Sequence, residues 1–147
     1  MIREYSNIDK PKTIELFRKN TPQYFDQSEE KDLKNYLNHN IEDYFVYDVH
    51  SEIIGAGGIN YFFEEKLARI SWDMIHPNYQ GHGIGKRLVQ HRINHLNANP
   101  NIDLIAVRTS QLAYKFYAKM GFALEKVEKD FWATGFDLYQ MQLKNKN

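Results

Sequence analysis

The chain has 147 residues and a mass of 17.5 kDa, the size of one domain able to bury a core without metal or disulfide staples. Its 19 basic and 19 acidic residues cancel, which leaves no electrostatic footprint for nucleic acid or for an anionic membrane. Cysteine is absent, which excludes disulfides, thiolate metal sites and a cysteine nucleophile together.

Met1–Tyr5 reads as a short first strand, and Asn7 or Asp9 caps a helix whose apolar residues Ile14, Leu16 and Phe17 share a face. That helix is expected to stop near Asn20, before Thr21-Pro22. Ser28 then precedes an acidic first turn, Glu29-Glu30-Lys31-Asp32, and a second helix carrying Leu33, Tyr36 and Leu37. Tyr44–Val49, Ile53–Phe63 and Leu67–Ile75 are β-rich runs that predict three sequential antiparallel strands. Ile84, Leu88, Val89, Ile93 and Leu96 mark the buried stripe of a third helix ending before Asn99-Pro100. Ile102–Val107 predicts a strand, and a fourth helix from about Ser110 to Met120 places Leu112, Ala113, Phe116, Tyr117 and Met120 inward, with Gly121 stopping it. Phe122–Val127 and Phe136–Leu143 close the chain as strands. No repeat, low-complexity tract or linker interrupts it, so one domain over 1–147 is expected.

The most informative stretch is Gln80-Gly81-His82-Gly83-Ile84-Gly85, placed between the apolar strand ending at Ile75 and the helix opening with Lys86-Arg87-Leu88-Val89. Glycines let backbone N–H groups approach a ligand, and a helix start adds unpaired donors and a positive dipole end, so this is a place to hold phosphate or pyrophosphate. A nucleotide P-loop is excluded, because Gln80 stands where its first glycine belongs and Arg87 where its Ser/Thr belongs. A dinucleotide fingerprint is excluded as well, because it needs glycine at Lys86.

Gln-x-x-Gly-x-Gly over 80–85, with Ile75-His76-Pro77 and Tyr79 before it, resembles the pyrophosphate-binding signature of the GNAT superfamily of acetyl-CoA-dependent N-acetyltransferases. A second match follows at the expected distance downstream. Ala113-Tyr114-Lys115-Phe116-Tyr117-Ala118-Lys119-Met120-Gly121-Phe122 resembles the family's later motif, a helix ending in Phe/Leu-Tyr-x-x-x-Gly-Phe. The resemblance implies an α/β (α+β) fold, a single GNAT-like domain with a mixed, mostly antiparallel sheet of about seven strands flanked by about four helices. The order β-α-α-β-β-β-α-β-α-β-β also emerges from the periodicity alone.

For function, the resemblance implies transfer of an acetyl group from acetyl-CoA directly to a primary amine of a small molecule or peptide. The backbone of Gly81, His82, Gly83, Ile84, Gly85 and Lys86, with Gln80, would wrap the CoA pyrophosphate. Backbone groups of Asp73, Met74 and Ile75 would take the pantetheine arm as an added strand. Thr109 and Ser110 stand where relatives often place a cofactor-contacting asparagine, Ser110 also being an expected helix cap. Tyr117 is expected to be the general acid that protonates the departing thiolate. The general base is where the chain departs from the family: the two customary carboxylate positions hold Arg69 and Ala106. Asp73 is a candidate base, with His76, Glu64 and Glu65 as other nearby groups, and replacing any one carboxylate is expected to cost less than losing Tyr117. Tyr24-Phe25 and Phe131-Trp132 fall where relatives line the acceptor cleft.

The competing class is a CoA-binding module without catalysis, serving as a sensor or assembly subunit. His91 and His95 have helical spacing for a metal, but nothing in the sequence completes a site, so no metal is expected. The chain opens on Met1-Ile2-Arg3-Glu4, which is not a signal peptide, and no apolar run approaches the ~20 residues of a membrane span. A soluble cytoplasmic protein is expected, a monomer or homodimer, with acetyl-CoA and an amine as partners and neither nucleic acid nor membrane.

Overall fold

The computed structural model describes residues 1–146. Strands β1 (Ile2–Glu4), β2 (Asp43–Val49), β3 (Glu52–Phe62), β4 (Leu67–Ile75), β5 (Leu104–Thr109), β6 (Ala123–Ala133) and β7 (Phe136–Lys144) form one sheet in the order β1-β2-β3-β4-β5-β7-β6. Every neighbouring pair is antiparallel except β4 and β5. Helices α1 (Lys10–Lys19) and α2 (Glu30–Asn35) pack their Leu16, Phe17 and Leu33 on one face, with Tyr44, Val46 and Met74. On the other face α3 (Ile84–Asn97) and α4 (Tyr114–Lys119) bury Leu88, Ile93, Leu96 and Tyr117 against Phe45, Ile70, Ile105 and Val107. The expected sheet of seven strands and four helices is present.

Several boundaries differ from expectation for local reasons. The second helical segment is capped by Asp26 rather than Ser28: the Asp26 side chain accepts from Ser28 N, and Glu29 reaches back to Asp26 N at 3.0 Å. A capping box needs an acid or amide three residues on, which Asp26 has and Ser28 lacks. The fourth helix begins four residues late, because the Ser110 carbonyl accepts from both Ala113 N and Tyr114 N and closes a turn first. Leu112 is therefore not on the inner face but 47% exposed. Strand β6 runs six residues past Val127 as an exposed edge, where a row of polar residues gives no inward alternation to read. Phe131 and Trp132 belong to its irregular end rather than to a separate connection.

One irregularity creates the site. Between Ser71 and Met74, β4 carries an extra residue opposite Gly57 of β3, and Trp72 there adopts φ +50°. A bulge of one residue inverts the in-and-out alternation of everything after it. Ala68 and Ile70 face α3, whereas Met74 faces α1, and Asp73 is consequently turned to the α3 side. Beyond Ile70, paired with Val107, β4 and β5 part, leaving the β5-facing edge of residues 71–75 without a strand neighbour.

Gly57 sits against this bend. A Cβ there would lie 2.6 Å from an Asp73 carboxylate oxygen and 2.7 Å from the Arg92 guanidinium. Gly57→Ala is expected to destabilise the fold by about 1–3 kcal/mol and to displace Asp73, which urea denaturation and a steady-state assay on the folded variant would register together.

Candidate active site

The gap between β4 and β5 opens into a cavity of about 980 Å³ that passes through the sheet. At one end lies the glycine loop. Gly81 and Gly83 have φ of +83° and +79°, and a Cβ on either would project into open space rather than protein. Gly83 is also the N-cap of α3 and supplies no side chain to the first-turn N–H groups, so those donors are free to face a ligand. Gly85 lines the same cleft, with Phe116 and Ile75 at ordinary contact distance from an added Cβ. Gln80 and Lys86 border the cavity, the Gln80 amide oxygen accepting from Tyr24 Oη at 2.7 Å, while His82 is exposed outside it. Ile84 is buried beneath the loop, and the Met74 side chain is sealed in the α1 core, which leaves the main chain of 73–75 along the open edge. Ser110 borders the cavity, its Oγ accepting from Leu112 N.

In the middle of the cleft is a buried trio. Tyr117 Oη donates to Asp73 Oδ2 at 2.5 Å, and Arg92 Nη1 donates to Asp73 Oδ1 at 2.5 Å. Arg92 is wholly buried and Tyr117 4% exposed. Arg92 also donates to the carbonyls of Leu88 and Gly58. Burial and the Asp73 carboxylate both push the Tyr117 hydroxyl well above its usual range, so it keeps its proton through ordinary pH. Burial works against the Arg92 charge but is outweighed by Asp73, so Arg92 stays a cation. Both oxygens of Asp73 are engaged, and the proton it faces is that of Tyr117.

Arg92 was not singled out from the sequence, although a signal is there. It lies four residues from both Leu88 and Leu96, on the apolar stripe itself, where an unpaired arginine would be prohibitive. The other carboxylates near the site are placed elsewhere. Glu64 and Glu65 lie on an exposed turn before β4, Glu65 eight residues and roughly 26 Å of strand from Asp73. His76 Nδ1 accepts from Asn78 N at 3.1 Å within the loop after β4. His91 packs edge-on against Phe45 at 4.8 Å, and His95 Nε2 lies 3.6 Å from Asp43.

The far end of the cavity, on the α1 and α2 side, is aromatic. Trp72 stacks on Phe25 at 6.0 Å, and Tyr36, Tyr61, Phe62 and Trp132 complete the wall. Glu29, which the sequence suggested only as part of an acidic first turn, is a buried wall residue here, and burial raises its carboxyl to about 7. Because 7 lies above the ordinary 4.5, the native state favours protonated Glu29. Its contribution to stability is intact below pH 4.5 and is lost as pH rises toward and through 7. Glu29→Gln keeps an acceptor for Asp26 N and is expected to stabilise the protein at pH 8 by on the order of 1–3 kcal/mol, with the gain vanishing near pH 4. Urea unfolding at the two pH values measures the difference.

Comparison with known proteins agrees with this architecture. The family model for an acetyltransferase (GNAT) domain matches residues 13–145. Among solved structures, the ribosomal-protein-S18-alanine N-acetyltransferase from Escherichia coli superposes with a TM-score of 0.82 at 16% identity, over 100% of this chain and 94% of that one. An aminoglycoside 6'-N-acetyltransferase complexed with coenzyme A gives 0.78 at 14% identity, over 98% and 96% of the two chains. The aminoglycoside 6'-N-acetyltransferase from Enterococcus faecium gives 0.75 at 14% identity with the same coverage. No curated protein matches the chain by sequence. The structural likenesses, at these identities, speak for the fold, and the family model spans nearly the whole chain: this protein belongs to the GNAT acetyltransferase family.

Proposed function

We propose that this protein transfers the acetyl group of acetyl-CoA to a primary amine in a single direct step. The residues present fit acetyl-CoA: a glycine-rich turn with open space where side chains would be, at a helix start, suits a pyrophosphate, and the unpaired edge of 71–75 suits an extended amide-bearing arm. Acetyl-CoA supplies the activated acyl group and a thiolate leaving group. Everything else is asked of the chain. No member of the trio is a nucleophile that would carry the acetyl group, and the cavity reaches the cleft from two sides, so cofactor and acceptor can be present together.

The observation that carries this reading is the 2.5 Å bond from Tyr117 to Asp73. Tyr117 Oη can take a proton from the attacking amine while its own proton passes to Asp73 Oδ2. The reverse movement returns the proton through Tyr117 to the departing sulfur. One proton thus travels from nitrogen to sulfur, Tyr117 and Asp73 end as they began, and Arg92 holds the carboxylate in place. In this role Tyr117 is the acid and, through Asp73, also the base, which meets the absence of carboxylates at positions 69 and 106.

Release of CoA thiol from acetyl-CoA, followed across a panel of amino acids, peptides, polyamines and aminoglycosides, tests the reaction. At least one class should give acceptor-dependent release. Tight acetyl-CoA binding with no acceptor-dependent release from any class would instead identify a binding module.

A further inference from the structure

Two arginines at the aromatic end of the cavity form no salt bridge among the described residues. Arg69 on β4 and Arg108 on β5 project from the α1 and α2 side of the sheet: Arg69 pairs in register with Ala106, and Arg108 lies two residues further along β5. Both line the large cavity and the smaller one of about 190 Å³ beside it. Neither makes a salt bridge or a side-chain hydrogen bond among the described residues, and the Nε of each is buried without any acceptor. The guanidiniums are instead held in place by rings. Arg69 lies over Phe62 at 4.7 Å, and Arg108 over Phe131 at 4.9 Å and Trp132 at 5.7 Å. Trp132 is itself pinned by its indole N–H donating to the Thr109 carbonyl at 3.1 Å.

The Nε of each is buried without an acceptor, and the nearest carboxylates, Glu65 and Glu125, line the smaller cavity with the pair without reaching salt-bridge distance. Burial lowers the Arg69 pKa, the Arg108 charge lowers it further, and Glu65 offsets only part of this. Two like charges are therefore near enough to repel each other while their planar forks retain unused donors. Such forks match carboxylate and phosphoryl oxygens in a bidentate fashion, and stacking on rings fixes their orientation in advance. The CoA phosphates do not account for the pair. Arg69 lies six residues before Ile75, roughly 20 Å of strand away from the glycine loop, on the opposite end of the cleft.

We infer that Arg69 and Arg108 form an anion clamp for the acceptor, so that the substrates of this protein are small amines carrying a carboxylate or phosphoryl oxyanion beside an apolar body. The inference rests on the proposed acetyl transfer for its meaning but not for its test. The amine end of such an acceptor lies toward Tyr117, its anion lies between the guanidiniums, and the aromatic wall takes what lies between. Polycationic acceptors, polyamines and aminoglycosides among them, are repelled at the same place.

Binding is tested by calorimetry on the intact protein saturated with CoA, using N-acetyl-phenylalanine, N-acetyl-methionine, their C-terminal amides, and the corresponding N-acetylated aminophosphonates. Acids are expected to bind at least ten times more tightly than amides, and the phosphonate arm tells which oxyanion is preferred. Arg69→Met and Arg108→Met keep the apolar stem and should each weaken acid binding by about 10- to 100-fold while leaving the amides unchanged. Arg69→Lys should fall between, since a point charge lacks the fork. With amine acceptors the same variants should raise KM for the amino acid more than they lower kcat. CoA affinity should not move. Equal binding of acids and amides, no binding of any acid, or wild-type acid binding in the Arg69→Met/Arg108→Met protein would each overturn the clamp. If acids bind through the arginines yet no amine is acetylated, the clamp stands and acetyl transfer falls. If polyamines are acetylated and the arginine variants are silent, the reverse holds.

Discussion

Tyr117→Phe is expected to lower kcat by about 10²–10⁴ with little change in acetyl-CoA affinity. The phenyl ring retains the contacts of Tyr117 with Phe116 and Phe122, and only the hydroxyl held by Asp73 is removed. Asp73→Asn is expected to cost a comparable factor, and the double variant no more than the worse single one, because the two groups act as one relay. This revises the expectation, drawn from the sequence, that losing a single carboxylate would matter less than losing Tyr117. Asp73→Asn also strips Arg92 of its counter-charge, a change worth about 3–5 kcal/mol where a buried pair is broken. Asp73→Asn/Arg92→Met removes both charges and separates the catalytic loss from the folding loss. Additive effects of Tyr117→Phe and Asp73→Asn on kcat, measured where chemistry limits turnover, would show that they do not form a relay.

The second large effect concerns the glycine loop. Gly85→Asp should leave the fold intact, because the Cβ meets only Phe116 and Ile75 at ordinary distances and a carboxylate in the first turn of α3 favours the helix dipole. Under the proposed function the same carboxylate would meet the CoA pyrophosphate at the loop. A loss of CoA affinity on the order of 10²-fold is expected. Gly83→Ala is expected to weaken CoA binding too, since φ of +79° penalises any Cβ and the open space it would fill is where the proposed function places the pyrophosphate. Calorimetry with CoA on folded variants reads both, and wild-type affinity in Gly85→Asp would reduce the loop to a turn.

Much of this fold was legible because its elements carry regular signals. Strand β4 at Leu67–Ile75 and helix α3 up to Asn97 fall where the apolar spacing predicts them, and the order of strands and helices follows. What was not legible depends on contacts between distant parts of the chain. Nothing local announces that Trp72 will take positive φ, and without that bulge Asp73 would point away from Tyr117. The glycines of β3 are likewise silent in sequence, yet Gly57 is small because Arg92 and Asp73 meet where its side chain would be. Arg92 itself broke an apolar ladder at a spacing of four, which is a readable anomaly, but its partner could not be named without the bulge. The edge strand β6 hid its length because both of its faces meet water.

The proposed reaction is tested most directly by incubating the protein with acetyl-CoA labelled in the acetyl carbons and an amine acceptor, then following the label by mass spectrometry in wild type and Tyr117→Phe at equal CoA occupancy. Label should appear as an acetamide on the amine with the wild type and at a small fraction of that rate with Tyr117→Phe, while the protein itself stays unlabelled. Label retained on the protein, or an equal yield of acetamide from Tyr117→Phe, would contradict direct transfer through the Tyr117 and Asp73 pair.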